Sequence, residues 1–395
     1  MQPPGPTGDP PAELTGSRSA ELTGSRSAGL TESRSAGLTE SRSAGLTESR
    51  SAGLLDLQVN GYAGVDFNDE AITADALDHA LHAMLGAGVT ACLPTVITAP
   101  AGMLEARLRA LDDAVARSRL GPLMVPGYHV EGPFLNPAPG FRGCHPPAAM
   151  LPPDPALVER WGAGLRRPIL MVTLAAELEG ADALIAWLAA RGKVAAIGHS
   201  DAGAAVVARA ADAGARMSTH LGNGLPGMLP KLDNPLMAQL AEDRLAAGFI
   251  ADGIHLPPPA LRAMIRAKGP GRAILVTDAV AAAGAPPGRY GFAGMEVEGH
   301  ADGSVRLPGT GTLAGSALTL EQAVRNLVRW GMATPEAAEM ASSAPAALLA
   351  PALEAHGTKL VPGIVQWGED RTRHGLEARV CTVEFADMFL VNRGR

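Results

Sequence analysis

Four side chains in this sequence combine metal-binding and proton-transfer chemistry. Glu131 lies in "VPGYHVEGPFL", His199 in "VAAIGHS", His220 in "RMSTHLGNG" and Asp278 in "AILVTDA". Each sits at or just past the end of a short apolar run. One carboxylate and two imidazoles make the ligand set of a catalytic zinc site that leaves one position open for water. A nearby carboxylate such as Asp278 can then serve as general base, because a bound metal lowers the pKa of water to about 7. Taken singly, a strand-end histidine is more often a hydrogen-bonded core residue and a strand-end aspartate a helix cap. Together at the ends of four strands they point to a site.

What must position them is a set of eight apolar runs: "LLDLQVNG", "VTACLPTVIT", "LMVPGYHVEG", "ILMVTLAAE", "VAAIGHS", "RMSTHLGNG", "LAAGFIADG" and "AILVTDA". Amphipathic stretches such as 76–86, 103–117, 181–191, 202–213 and 258–268 separate most of them. Eight strands alternating with helices predict a parallel sheet, and eight is the number that closes an α/β barrel of the (β/α)8, TIM-like type. A doubly wound open sheet is the alternative, but no GxGxxG follows the first strand. In a barrel the C-terminal strand ends form one rim. That rim is expected to carry Gln58 and Asn60, His129 and Glu131, Glu177, His199, His220 and Asn223, Asp252 and His255, and Asp278.

Composition narrows the function. The chain has 395 residues and is 47% hydrophobic, enough for one large core, with a formal charge of −7 and no Lys/Arg-rich run. That argues against nucleic acid or an anionic membrane surface as partner. Cys92, Cys144 and Cys381 form no CxxC pair, so neither a disulfide framework nor a thiolate zinc site is indicated. No signal-peptide pattern and no membrane-length apolar run is present, and a soluble cytoplasmic protein is expected.

The chain divides into three. Residues 1–52 hold five copies of an octapeptide ending "GLTESRSAGLTESRSA". With one leucine per eight residues they are expected to be disordered. Residues 53–350 are expected to form the barrel that carries the candidate metal site. Residues 351–395 are an atypical C-terminal segment, which the resemblance set out next implies is the remnant of a small β domain.

The run from about Gly53 to Pro345 resembles the N-acetylglucosamine-6-phosphate deacetylases of the amidohydrolase superfamily. The resemblance rests on "LLDLQVNGYAGVDFND", "HVEGPFLNP" with "GCHPP", "AAIGHSDA", "STHLGNGLPGML", "GFIADGIH", "LVTDAVAAAG" and "GTLAGSALTL", in that order. It implies Glu131, His199 and His220 as metal ligands and Asp278 as the catalytic aspartate. His145, Asn223 and His255 would contact the substrate, and His129 would orient Glu131 or the substrate. The wider superfamily usually ends its first strand in a His-x-His pair. Gln58 and Asn60 stand here instead, which implies one divalent metal per subunit, Zn2+ by preference, rather than two. The implied reaction removes the acetyl group of N-acetyl-D-glucosamine 6-phosphate, and the implied assembly is a homodimer.

Three features depart from the family pattern. "GLPGMLPKLDNPLMAQL" has only Lys231 where members usually carry a phosphate-binding arginine, so this chain reads as a subgroup lacking it. An unphosphorylated or other N-acyl substrate is the alternative. The repeats stand where the first strands of a small β-sandwich are usual, and an unusual stretch interrupts the C-terminal pattern. An incomplete sandwich is therefore expected. A non-catalytic binding protein is the remaining alternative.

Overall fold

The computed structural model describes residues 42–43, 46–372 and 375–391. All eight expected runs are strands: β1 (Leu54–Val59), β2 (Val89–Ile97), β3 (Tyr128–Glu131), β4 (Ile169–Leu174), β5 (Val194–Ile197), β6 (Ala215–Ser218), β7 (Ala246–Phe249) and β8 (Ala273–Leu275). They pair in sequence order, parallel throughout, and nearly all their residues are buried. Runs buried on both faces have no need of polar alternation, which is why they read as continuous apolar segments. The helices between them bury one stripe each. Ala74–Gly86 places Leu77, Leu81, Met84 and Leu85 inward and is capped by the Thr73 side chain, which accepts from the Ala76 N–H.

Closure between β1 and β8 is made by irregular backbone just beyond β8. Val59 bridges Ala279, the Asp278 N–H donates to the Gln58 carbonyl (2.9 Å), and the Asn60 N–H donates to the Ala279 carbonyl (2.7 Å). Asp56 spans the same seam. Its Oδ1 accepts from the backbone N–H groups of Gln58 (3.2 Å) and Thr277 (3.3 Å), and its Oδ2 lies 2.5 Å from Thr277 Oγ1, which in turn reaches the Gln58 carbonyl. Burial pushes this carboxyl up to about 7 from an ordinary 3.8. A protonated Asp56 satisfies the whole seam, donating to Thr277 Oγ1 while Thr277 donates to Gln58.

The sign of the pH effect follows. The unfolded chain ionises this group near pH 4 and the folded chain only near pH 7, so its contribution to stability falls as pH rises across that window and is level above it. Asp56→Asn keeps the donor to Thr277 and does not ionise. Relative to the variant, the parent protein should lose about 1 kcal/mol between pH 6 and pH 8. Urea unfolding of both at the two pH values measures this, and identical pH slopes would refute it.

The terminal segments form one antiparallel layer, so the incomplete sandwich expected from the sequence takes the form of a single sheet. It comprises Arg42–Ser43, Leu46–Ala52, Gly363–Thr372, Gly375–Phe385 and Met388–Val391. The expectation of disorder therefore fails for the last octapeptide copy. Its strand Leu46–Ala52 pairs with Gly363–Thr372, with Ser51 opposite Val365 and Ser49 opposite Trp367. The physical reason is that the partner strands supply the apolar surface the repeat lacks: Val365, Trp367, Val380, Val383 and Phe385 are buried in the main core. The repeat supplies backbone bonds and Ser51 Oγ, which accepts from the Trp367 indole N–H at 2.9 Å. The earlier copies, up to residue 41, lie outside the described residues. The boundary drawn at 350 falls inside a helix, Ser343–Ala355.

One element was not anticipated. After β8 the chain builds a three-stranded antiparallel insert, Gly288–Phe292, Met295–Gly299 and Val305–Arg306. It has its own small core of Phe292, Val297 and Val305 against Ile97, Val280 and Ala314. Phe292 and residues 311–313 from this region wall the site described next.

Candidate metal centre and acid–base site

At the C-terminal rim, Glu131, His199 and His220 bring one ligand atom each to within 4.8 Å of one another. Glu131 Oε1 lies 3.0 Å from His220 Nε2 and 3.4 Å from His199 Nε2. All three are buried. His199 Nδ1 is 2.6 Å from the Phe141 carbonyl, which can only accept, so Nδ1 carries the proton and Nε2 presents its lone pair. That Nε2 is buried without a hydrogen-bond partner. A lone pair aimed at a carboxylate, beside a second imidazole, is what a divalent cation would satisfy, and the donor set fits one.

The backbone carries strain at these positions. His199 (φ 51°), His220 (φ 28°) and Asp278 (φ 49°) are left-handed, a conformation costing non-glycine residues roughly 1–3 kcal/mol. Turning the chain sharply at the strand end swings each side chain over the barrel mouth. Gly224 lets the following loop close on His199: a Cβ there would stand 2.6 Å from His199 Nδ1.

Charge is arranged in opposition. Burial works against ionisation of Glu131, but the neighbouring His199 and His220 imidazoles outweigh it and hold the carboxyl well below its usual range. Burial likewise opposes a charge on His220, yet the Glu131 carboxylate draws its pKa upward. Asp278 is pushed up to about 6, first by burial and then by the Glu131 charge. Two carboxyl groups with opposite shifts are suited to different tasks, one to hold a cation and one to exchange a proton. Gln58 fixes their spacing, its amide donating to Glu131 Oε2 (3.1 Å) and Asp278 Oδ1 (3.2 Å), and Asn60 Nδ2 donates to the same Asp278 oxygen at 2.7 Å. The first strand thus supplies orienting amides beside the cluster.

Around this core lies a cavity of 290 Å3 lined by, among others, His145, Asn223, His255, Cys144 and Thr312. His145 Nδ1 is 2.8 Å from Thr98 Oγ1, and its Nε2 lies 4.0 Å from Glu131 Oε2. Burial lowers its pKa to about 3, so it is neutral. His255 is held by Asp252 at 2.5 Å through Nδ1. Asn223 Nδ2 donates to the His220 carbonyl. A larger hollow of 640 Å3, between Pro258–Lys268, Leu320–Arg329 and Ser343–Ala355 near the start of β8, contains none of these residues.

His129 takes a place different from the one expected of it. Its ring nitrogens face Thr95 Oγ1 (3.3 Å) and Thr173 Oγ1 (2.8 Å), and burial lowers its pKa to about 4. Two residues before Glu131 on the same strand, it shares the inward face but sits one layer deeper, among barrel threonines. Sequence reasoning missed the Phe141 carbonyl and the Thr98 hydroxyl. The first is backbone and leaves no compositional signal; the second is one of many strand threonines.

No protein-family model matches the chain, but curated relatives and solved structures do. It is 36% identical over 292 residues to N-acetylgalactosamine-6-phosphate deacetylase of Escherichia coli O157:H7, covering 74% of this chain and 75% of that protein. It is 36% identical over 321 residues to N-acetylglucosamine-6-phosphate deacetylase of Danio rerio, with coverages of 74% and 73%. Its fold superposes with TM-score 0.73 on an N-acetyl-D-glucosamine-6-phosphate deacetylase variant from Mycobacterium smegmatis bound to N-acetyl-D-glucosamine-6-phosphate, at 29% identity and 87% of each chain. The Pasteurella multocida enzyme gives the same score at 28% identity, with 87% of this chain and 86% of that one covered. Fold and site together define a barrel hydrolase of the amidohydrolase type. Within that class the chain belongs to the N-acetylglucosamine-6-phosphate deacetylase family.

Proposed function

We propose that this chain hydrolyses the acetamido group of an N-acetylated amino sugar, N-acetyl-D-glucosamine 6-phosphate, to the free amine and acetate. The observation that carries the reading is the convergence of Glu131, His199 and His220 beside a raised-pKa Asp278 in one cavity. One divalent ion per chain, Zn2+ in this reading, would be held by Glu131, His199 and His220 and would supply Lewis acidity and an acidified water. Asp278 takes a proton from the attacking water as its oxygen forms the new bond to the acetyl carbon. The same carboxyl returns that proton to the nitrogen as the C–N bond breaks. Gln58 and Asn60 hold Asp278 in place through this exchange. In this reading neutral His145 donates or accepts a hydrogen bond beside the carbonyl and Asn223 and His255 contact the sugar; all three line the cavity.

The sugar's 6-substituent is the finer question. Among the described residues, no lysine or arginine lines the cavity, and Lys231 is an exposed residue of the loop that follows Leu225. A guanidinium–phosphate pair is worth about 1.5–3 kcal/mol, so its absence costs roughly ten- to hundredfold in kcat/KM for a phosphorylated sugar. The expected result is measurable deacetylation with little or no preference for the 6-phosphate, read from kcat/KM for the two sugars side by side and with Lys231→Ala. A strong phosphate preference that survives Lys231→Ala would refute it.

We place the enzyme in the cytoplasm as a homodimer. Among the described residues no helix is long and apolar enough to cross a membrane. Met228 and Leu232, 90% and 71% exposed in the loop beside the cavity, offer apolar surface for a second copy. Light scattering on the purified protein reads the assembly, and a monomer at micromolar concentration would overturn it.

A further inference from the structure

Glu177, just beyond β4, takes no part in the chemistry above and does not line the cavity, yet three donors converge on its carboxylate. Oε1 accepts from Asn136 Nδ2 at 2.8 Å and from the Asp201 backbone N–H at 2.7 Å; Oε2 accepts from Ser200 Oγ at 2.5 Å. Ser200 and Asp201 directly follow the ligand His199 in its strained turn. Asn136 belongs to the loop after β3, whose Phe141 carbonyl orients the His199 ring. The two segments also touch directly, since the Asn136 N–H donates to the His199 carbonyl at 3.1 Å. Ser200 Oγ further accepts from the N–H groups of Ala176 (3.3 Å) and Ala202 (3.2 Å).

His199 is thus gripped at two points, its carbonyl and its Nδ1, both from the loop that carries Asn136 and Phe141. Among the described residues, Glu177 is the one side chain that hydrogen-bonds that loop and the turn following His199 at once. We infer that Glu177 is a positioning residue for the metal ligand His199: it locks the Asn136–Phe141 loop to the Ser200–Asp201 turn, so that Nε2 of His199 is aimed at the Glu131 carboxylate before any cation arrives. Charge-assisted bonds suit this task, being about twice as strong as neutral ones. Holding a left-handed histidine in place requires such over-determination. Residues that orient a metal ligand without touching the metal typically change metal affinity 10- to 100-fold when removed.

This inference rests on the metal-site reading above, and the test separates the two. Glu177→Ala removes all three bonds. Glu177→Gln keeps the Oε1 acceptor for Asn136 and Asp201 but turns an amide N–H toward Ser200 Oγ, which already accepts two backbone N–H groups. Zn2+ affinity is measured by chelator competition and the cobalt-loaded protein by its visible spectrum, together with the melting temperature of the metal-free form.

The expected result is a Kd raised roughly 10- to 100-fold in Glu177→Ala and by a smaller factor in Glu177→Gln. The cobalt bands should shift even at saturating cobalt, and the metal-free variants should stay folded. A Kd within twofold of the parent with an unchanged cobalt spectrum would overturn the inference. If Glu177→Ala does not fold, Glu177→Gln decides by the same criteria. A parent protein that binds no zinc would instead overturn the metal-site reading, and the inference with it.

Discussion

Asp278→Asn is expected to lower kcat on the order of a hundredfold or more while leaving metal content unchanged. General acid–base groups contribute 10²- to 10⁴-fold, and an amide can neither take the proton from water nor return it to the departing nitrogen. The substitution is otherwise mild. Asparagine is among the residues that best tolerate a left-handed backbone, so the φ of 49° at this position is kept. Its carbonyl oxygen can still accept from Asn60 Nδ2 and Gln58 Nε2, the two amides now 2.7 and 3.2 Å from Asp278 Oδ1. Asp278 also lies outside the three-residue cluster, so the cation keeps its ligands. Metal analysis and steady-state kinetics on the same preparation measure both halves. A variant within a few fold of the parent rate would remove Asp278 from the mechanism.

The sequence announces this site because barrel geometry converts strand ends into neighbours. Glu131, His199, His220 and Asp278 are separated by up to 147 residues, yet each lies at or just past the end of a recognisable buried strand, and eight such strands leave one rim on which to place them. Five of the helices between strands were readable too, since each carries a one-sided apolar stripe, whereas the short Pro155–Gly162 and Pro235–Ala241 were not singled out. What escaped was whatever depends on depth or on backbone. His129 and Glu131 are two residues apart on one strand, and periodicity puts them on one face. It says nothing of the layer at which each side chain meets its neighbours, and His129 falls among Thr95 and Thr173 instead of at the mouth.

The repeat strand was misjudged for a related reason. An octapeptide with a single leucine cannot build a core by itself, but a strand needs only a partner's backbone and someone else's apolar face, here Val365 and Trp367 some 300 residues away in the chain. The insert after β8 was passed over because "GRYGFAGMEVEG" is short and glycine-rich, so the alternation in "MEVE" spans too few residues to stand out. Glu177 was visible as a rim residue, but its role depends on three donors from two other loops.

His199→Ala and His220→Ala are each expected to reduce bound metal from about one ion per chain to near none. Turnover should fall by on the order of a thousandfold, the equivalent of the several kcal/mol that a catalytic metal contributes. The reason lies in the cluster's electrostatics as much as in its ligand count. Glu131 is 2% exposed, and an ionised carboxylate so deeply buried costs several kcal/mol unless paired. In the cluster His220 and His199 stand 3.0 and 3.4 Å from its Oε1. Removing either imidazole takes away both a donor to the cation and a partner of the carboxylate, so Glu131 will tend to protonate and cease to be a ligand.

A second readout is independent of activity. A cation that binds only the folded chain raises stability by about 4 kcal/mol at a free concentration a thousand times its Kd. Zinc should therefore raise the melting temperature of the parent protein, chelator should reverse the rise, and neither should move the two variants. Full metal occupancy in both variants, or an equal zinc-induced rise in all three proteins, would sink the assignment of Glu131, His199 and His220 as the ligands.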